Sequence, residues 1–103
     1  MRPVLLLAAI LLVIPGCATT KEILATSYEQ SCQSDADCVA IRSGSCDPCG
    51  YPCHNEAINR RDFGAYERAF ESWKCEREEL VQCAACMPVV ARCLQQRCVV
   101  QAN

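Results

Sequence analysis

The chain has 103 residues, a formal net charge of −2 and eleven cysteines. Ten basic against twelve acidic side chains give no basic excess of the kind a nucleic-acid face requires. A chain this short buries too little apolar surface to be comfortably stable without staples, so the reading turns on its sulfur.

The N-terminus comes first. Arg2 supplies a short cationic region, and an apolar run of eleven residues follows from Val4 to Ile14. That is too short to cross a hydrocarbon layer about 30 Å thick, which asks for roughly 20 residues, but it suits the apolar centre of a secretory signal peptide. The run ends in Ile14-Pro15-Gly16-Cys17, which resembles the lipobox of bacterial lipoproteins. The resemblance implies cleavage before Cys17, a thioether-linked diacylglycerol on its sulfur and acylation of the new N-terminus. Residues 1–16 are then signal peptide, and 17–31 a lipidated N-terminus and tether. Acyl chains contribute about 0.8 kcal/mol per buried methylene, so two or three anchor a protein stably. Ala18 stands where an Asp tends to hold such lipoproteins at the inner membrane. The family rule therefore implies an outer-membrane anchor facing the periplasm.

The mature chain, Cys17 to Asn103, has 87 residues and carries ten further cysteines: Cys32, Cys38, Cys46, Cys49, Cys53, Cys75, Cys83, Cys86, Cys93 and Cys98. An even number in a short exported chain indicates a disulfide framework. Five bridges at about 2–4 kcal/mol each would supply most of the net stability. Ten cysteines allow roughly nine hundred pairings, so the connectivity stays open. Cys17, the odd one, is accounted for by lipidation.

Along residues 32–103, Asp35 and Asp37 read as turn closers ahead of a short strand at Val39-Ala40-Ile41. From Asn55 to about Val81 the pattern reads as one helix, or two meeting near Arg61 to Gly64. Ile58, Asp62, Tyr66, Phe70 and Trp73 fall near one stripe, with Asn55 or Asp62 as caps and Glu56 with Arg60 as a helical ion pair. Glu67, Arg68, Glu71, Lys74, Glu78 and Glu79 form its solvated face. The C-terminus reads as a hairpin, Val89 to Leu94 and Arg97 to Gln101, turning at Gln95-Gln96. Gln-Gln is poor chemistry for a two-residue turn, because neither residue favours positive φ. The fold class expected is small, disulfide-rich α+β: helix on a minimal antiparallel sheet that includes the hairpin.

The stretch CDPCGYPCH, Cys46 to His54, invites other chemistries. Cys46-Asp-Pro-Cys49 has the C-x-P-C form of thioredoxin-like oxidoreductases, yet no buried strand leads into it and Pro52 interrupts a helix starting at Cys49. Cys49 and Cys83-Ala-Ala-Cys86 are far apart for a compact zinc knuckle, and an oxidising destination consumes thiols before metal reaches them. His54 is the only histidine and defines no catalytic pair. Asp35 and Asp37 lack the remainder of a calcium loop. Trp73 and Tyr66 read as core.

The mature chain also resembles a loose class of small cysteine-rich bacterial lipoprotein domains. The shared elements are the C-x-x-D-x-D-C opening of Cys32 to Cys38, the cluster of Cys46, Cys49 and Cys53, the step Ala57-Ile58-Asn59, and the closing C-x₄-C of Cys93 and Cys98. That resemblance supports the framework and implies no activity. The function expected is a membrane-anchored, non-catalytic envelope module with a structural or binding role and no cofactor. The alternative is a protease inhibitor presenting Arg42-Ser43-Gly44-Ser45 as a rigid loop, since pre-ordering cuts the entropy lost on binding.

Overall fold

The computed structural model of the chain describes residues 21–103. The signal-peptide, lipobox and Cys17 expectations lie outside these residues. In chain order the elements are β1 (Glu22–Ile23), β2 (Cys38–Arg42), β3 (Gly44–Ser45), β4 (His54–Asn59), α1 (Phe63–Ser72), β5 (Val89–Leu94) and β6 (Arg97–Ala102). Short 3₁₀ turns occupy Ala25–Ser27, Asp35–Asp37 and Arg60–Asp62. The strands form three antiparallel two-stranded sheets, β1 with β3, β2 with β4 and β5 with β6. The fold class is small, disulfide-rich α+β.

The β2–β4 ribbon organises the molecule because both its faces are covered. Val39 lies opposite Ile58, and Ala40 opposite Ala57. Side chains alternate between faces along a strand, so consecutive Ala57 and Ile58 point to opposite sides. Both are fully buried. On one face Ile58 and Ile41 join Ile23, Ala25, Tyr66 and Trp73, with Phe63, Ala69 and Phe70 of α1 packed alongside. On the other, Ala57 joins Cys32, Cys38 and Cys98, with Ala91, Cys93 and Val100 of the hairpin against them. Helix, ribbon and hairpin therefore stack as three layers. Burying Ile41 and Ile58 contributes about 1.5–3 kcal/mol for each side chain.

The helix expected from Asn55 to Val81 is confined to Phe63–Ser72. The first five residues of the expected span belong to β4, because Ala57 and Ile58 each have a core to enter. Asn55 caps nothing and exchanges hydrogen bonds with Ser43 instead: Ser43 N–H donates to its Oδ1 at 2.9 Å, and its Nδ2 donates to the Ser43 carbonyl at 2.7 Å. The expected Glu56–Arg60 helical pair is absent, since Glu56 lies on β4. Asn59 caps the 3₁₀ turn, its Oδ1 accepting from Arg61 N–H at 2.9 Å. Asp62 occupies the N-cap position of α1, but its carboxylate accepts from Glu29 N–H at 2.7 Å. The helix ends at Trp73, whose backbone is extended. Residues 74–88 have no helix or strand.

Residues 21–31, expected as part of a tether, are packed from Glu22 onward. Ile23 and Ala25 enter the helix-side core. The Lys21 carbonyl accepts from Trp73 Nε1 at 3.3 Å. Residues 29–31 run between β4 and β6. Asn59 N–H donates to the Glu29 carbonyl, Cys98 N–H donates to the Gln30 carbonyl at 2.7 Å, and Ser31 bridges to Arg97. The hairpin is thus a separate layer joined through this segment, rather than part of a common sheet with Val39–Ile41.

The hairpin has the expected strands and turn, with its second strand one residue longer than expected, to Ala102. Gln95 and Gln96 hold φ of 51° and 61°, the left-handed pair that a tight two-residue turn demands. Its setting imposes this conformation. Cys32 N–H donates to the Gln96 carbonyl at 3.1 Å, and the two flanking cysteines are both cross-linked.

Candidate functional site

All ten cysteines of the described residues form five disulfides: Cys32–Cys93, Cys38–Cys98, Cys46–Cys75, Cys49–Cys83 and Cys53–Cys86. They divide into two groups with different surroundings.

The first group is a surface ladder. Cys46, Cys49 and Cys53 bond in order to Cys75, Cys83 and Cys86, lashing residues 46–53 to the segment after α1. The first strip is pre-shaped by local bonds. Asp47 and Gly50 exchange backbone hydrogen bonds at 2.9 Å each way, and Asp47 Oδ1 accepts from Cys49 N–H at 2.7 Å. Gly50 holds φ of 104°, which a side chain would disfavour. Glu78 N–H donates to the Pro48 carbonyl at 2.8 Å. Neither C-x-x-C motif closes on itself, so Cys46 and Cys49 do not form the vicinal pair of a thioredoxin-like centre. The second strip carries exposed Leu80, at φ 68°, and exposed Met87.

The second group is buried. Cys32, Cys38 and Cys98 are at most 5 % exposed, and their sulfurs lie within 4.8 Å of one another. Cys93 is half-buried and stands opposite Cys98 in the hairpin register. The loop between Cys32 and Cys38 is closed as expected from its aspartates. Asp37 Oδ2 accepts from Gln33 and Ser34 N–H at 2.9 and 3.1 Å, which holds its carboxyl below the usual range. Asp35 reaches further. It accepts from Cys93 N–H at 2.7 Å and pairs with Arg92 at 3.2 Å, and the Cys93 bond is the main reason its carboxyl is lowered. Glu29 is lowered chiefly by the Ser31 hydrogen bond.

Arg42 is held inside the fold. It belongs to β2, its backbone N–H donates to Tyr66 Oη at 3.1 Å, and its guanidinium donates to the Pro52 carbonyl at 3.0 Å. Ser43 Oγ accepts from Ala25 N–H, and Gly44-Ser45 pairs with β1. Residues 42–45 are thus engaged on both sides, by β1 and by residues 52–66. His54, exposed at the start of β4, has its imidazole pKa lowered, first by desolvation and then by Arg42. Together with Phe63, Tyr66, Glu67, Phe70 and Glu71 these two residues line a shallow cavity of about 290 Å³. Burial raises the Tyr66 phenol, and the same effect leads for Tyr28.

A second, polar cavity of about 490 Å³ lies beside the buried sulfur cluster. Its wall includes Cys32, Asp37, Asn59, Arg61 and Gln96. Sequence reasoning missed this site because it is assembled from four separate segments. The only local signal was Cys32 itself. Comparison of the chain with protein-family models, curated proteins and solved structures gives no match.

Proposed function

We propose that the protein is a lipid-anchored, non-catalytic module of the bacterial envelope, in which five disulfides hold a small rigid surface in a structural or binding role. One observation carries the reading: the framework consumes the ten cysteines from Cys32 to Cys98 in pairs, leaving Cys17 of the lipobox-like motif as the odd sulfur. A folded unit that begins at Glu22 stands close to such an anchor. Its surface is fixed by cross-links and by two cores that cover both faces of one ribbon. Pre-ordering of this kind reduces the entropy lost when a partner binds.

The test is expression of the full chain in a Gram-negative host with radiolabelled palmitate. The expected result is label in the membrane fraction that disappears in Cys17→Ala, together with no free thiol in the native protein. Unlabelled protein, or several titratable thiols, would overturn the proposal.

A further inference from the structure

We propose that Cys32, Cys38, Cys93 and Cys98 form a thiol-triggered exchange centre, opened by a small thiolate that docks beside Cys32. The observation behind it is the hairpin register. Cys93 and Cys98 are direct cross-strand neighbours, yet they bond to different partners on another layer. Their backbone N–H groups point away from each other, to Asp35 and to the Gln30 carbonyl. They are therefore a non-hydrogen-bonded pair, whose Cα atoms lie about 4.5 Å apart with side chains on one face. That spacing is within the range a disulfide spans. Cys32 and Cys38, at the two ends of a short turn, already hold their sulfurs within 4.8 Å of each other and of Cys98. The same four sulfurs thus have a second complete pairing, Cys32–Cys38 with Cys93–Cys98.

The cavity beside Cys32 supplies the approach. It is polar, and Arg61 in its wall offers a positive charge that favours a thiolate. The Asp37 carboxylate, also in the wall, is occupied by the Gln33 and Ser34 N–H groups. A low-molecular-weight thiolate attacks Cys32 Sγ, forming a mixed disulfide and releasing the Cys93 thiolate. Cys93 attacks Cys98 Sγ, forming Cys93–Cys98 and releasing the Cys38 thiolate. Cys38 then attacks Cys32 Sγ, forming Cys32–Cys38 and expelling the original thiolate. Two disulfides enter and two leave, so no electrons are gained or lost and the thiol is regenerated.

The consequence is mechanical. In the native pairing both bridges tie the turn region to the hairpin across sequence separations of 61 and 60 residues. In the exchanged pairing each bridge is local, and the hairpin is held only by non-covalent contacts: its packing, Asp35, and the backbone hydrogen bonds of Gln30 and Cys32 to Cys98 and Gln96. The three bridges of the surface ladder take no part.

The proposal depends on the cross-links alone, so it stands or falls apart from lipidation. Trypsin reads the outcome directly, because it places Cys32 and Cys38 together in residues 22–42, Cys93 in 93–97 and Cys98 in 98–103. The folded protein is incubated with a catalytic amount of 2-mercaptoethanol, blocked with N-ethylmaleimide, digested and weighed. The native pairing gives one three-peptide assembly. Exchange is expected to yield 22–42 with an internal disulfide, and 93–97 joined to 98–103, while the intact mass is unchanged. Its rate should rise about tenfold per pH unit below the thiol's pKa, following the thiolate fraction. Persistence of the three-peptide assembly would overturn the proposal. So would its loss only with free thiols, or with new links to the cysteines between 46 and 86.

Discussion

Trp73 ends α1 with its backbone already extended, and that bend turns the largest side chain in the protein into the core. It meets Tyr51 and Phe70 edge to face, with ring centres 5.4 and 5.9 Å away, and its carbonyl accepts from Tyr51 Oη at 2.8 Å. Trp73→Ala is expected to cost about 3–5 kcal/mol, measured by denaturant unfolding with the disulfides intact. Trp73→Phe keeps much of the packing and loses chiefly the Nε1 bond to Lys21, so its cost should be nearer 1 kcal/mol beyond the volume lost. Equal losses in the two variants would mean that the indole hydrogen bond, and not its bulk, holds the N-terminal segment. His54 makes a prediction about pH. Its folded pKa lies below the ordinary imidazole value of 6.5, so the unfolded chain takes up a proton first as pH falls. The stability it contributes is present above 6.5 and lost as pH drops from there toward the folded value. Stability measured at pH 7.5 and pH 5.5 should therefore fall with acid, and His54→Gln should flatten that part of the profile. An NMR midpoint for His54 at or above 6.5 would refute the assignment.

The hairpin carries the next prediction. Gln95 and Gln96 pay for left-handed φ with side chains that do not favour it, a cost of roughly 1–2 kcal/mol per L-residue. Asn-Gly at these positions suits the required turn, so the double change Gln95→Asn, Gln96→Gly is expected to gain about 1–2 kcal/mol in denaturant unfolding. No gain would show that the cross-links already exclude the alternatives from the unfolded chain. The hairpin is also where sequence reading served best: strands were expected over Val89–Leu94 and Arg97–Gln101, the second runs one residue further to Ala102, and only the turn chemistry argued against a two-residue loop. β4 is the opposite case. Asn55-Glu-Ala-Ile-Asn-Arg60 is rich in tolerable helix formers, and its two apolar residues are adjacent rather than alternating. Adjacent apolar residues suit a strand covered on both faces, but that is visible only once the hairpin and α1 are in place. Residues 21–31 failed for a related reason: Ile23 and Ala25 are too few to mark a core segment by pattern. The candidate site was legible in its chemistry and not in its assembly. Ten paired sulfurs follow from number and length, whereas the partition into a surface ladder and a buried cluster depends on contacts about 60 residues apart.

At the scale of the molecule the five cross-links are not equivalent, and chain entropy does not rank them. Closing a loop twice as long costs only about 0.6 kcal/mol more, which is all that separates Cys38–Cys98, at 60 residues, from Cys46–Cys75, at 29. Burial ranks them instead. Cys38 and Cys98 are 3 % and 1 % exposed and form the centre of the hairpin-side core beside Ala57, whereas Cys46 is exposed. Removing the buried pair as Cys38→Ala with Cys98→Ala loses the cross-link and leaves a cavity between two layers that have no other core. Removing the more exposed pair as Cys46→Ala with Cys75→Ala loses the cross-link and only the contact of half-buried Cys75 with the edge of the helix-side core, and two ladder bridges still hold the same strips together. Loss of a native disulfide from a small exported domain typically costs about 2–5 kcal/mol. The exposed deletion should sit at or below the lower end of that range, and the buried deletion at or beyond the upper end. Thermal unfolding of both double variants decides it. Hydrogen exchange should show the loosening in β5 and β6 for the buried pair, and in residues 46–53 and 74–88 for the exposed one. Equal destabilisation would mean that the cross-links act on the unfolded chain alone, and that the hairpin-side core adds little of its own.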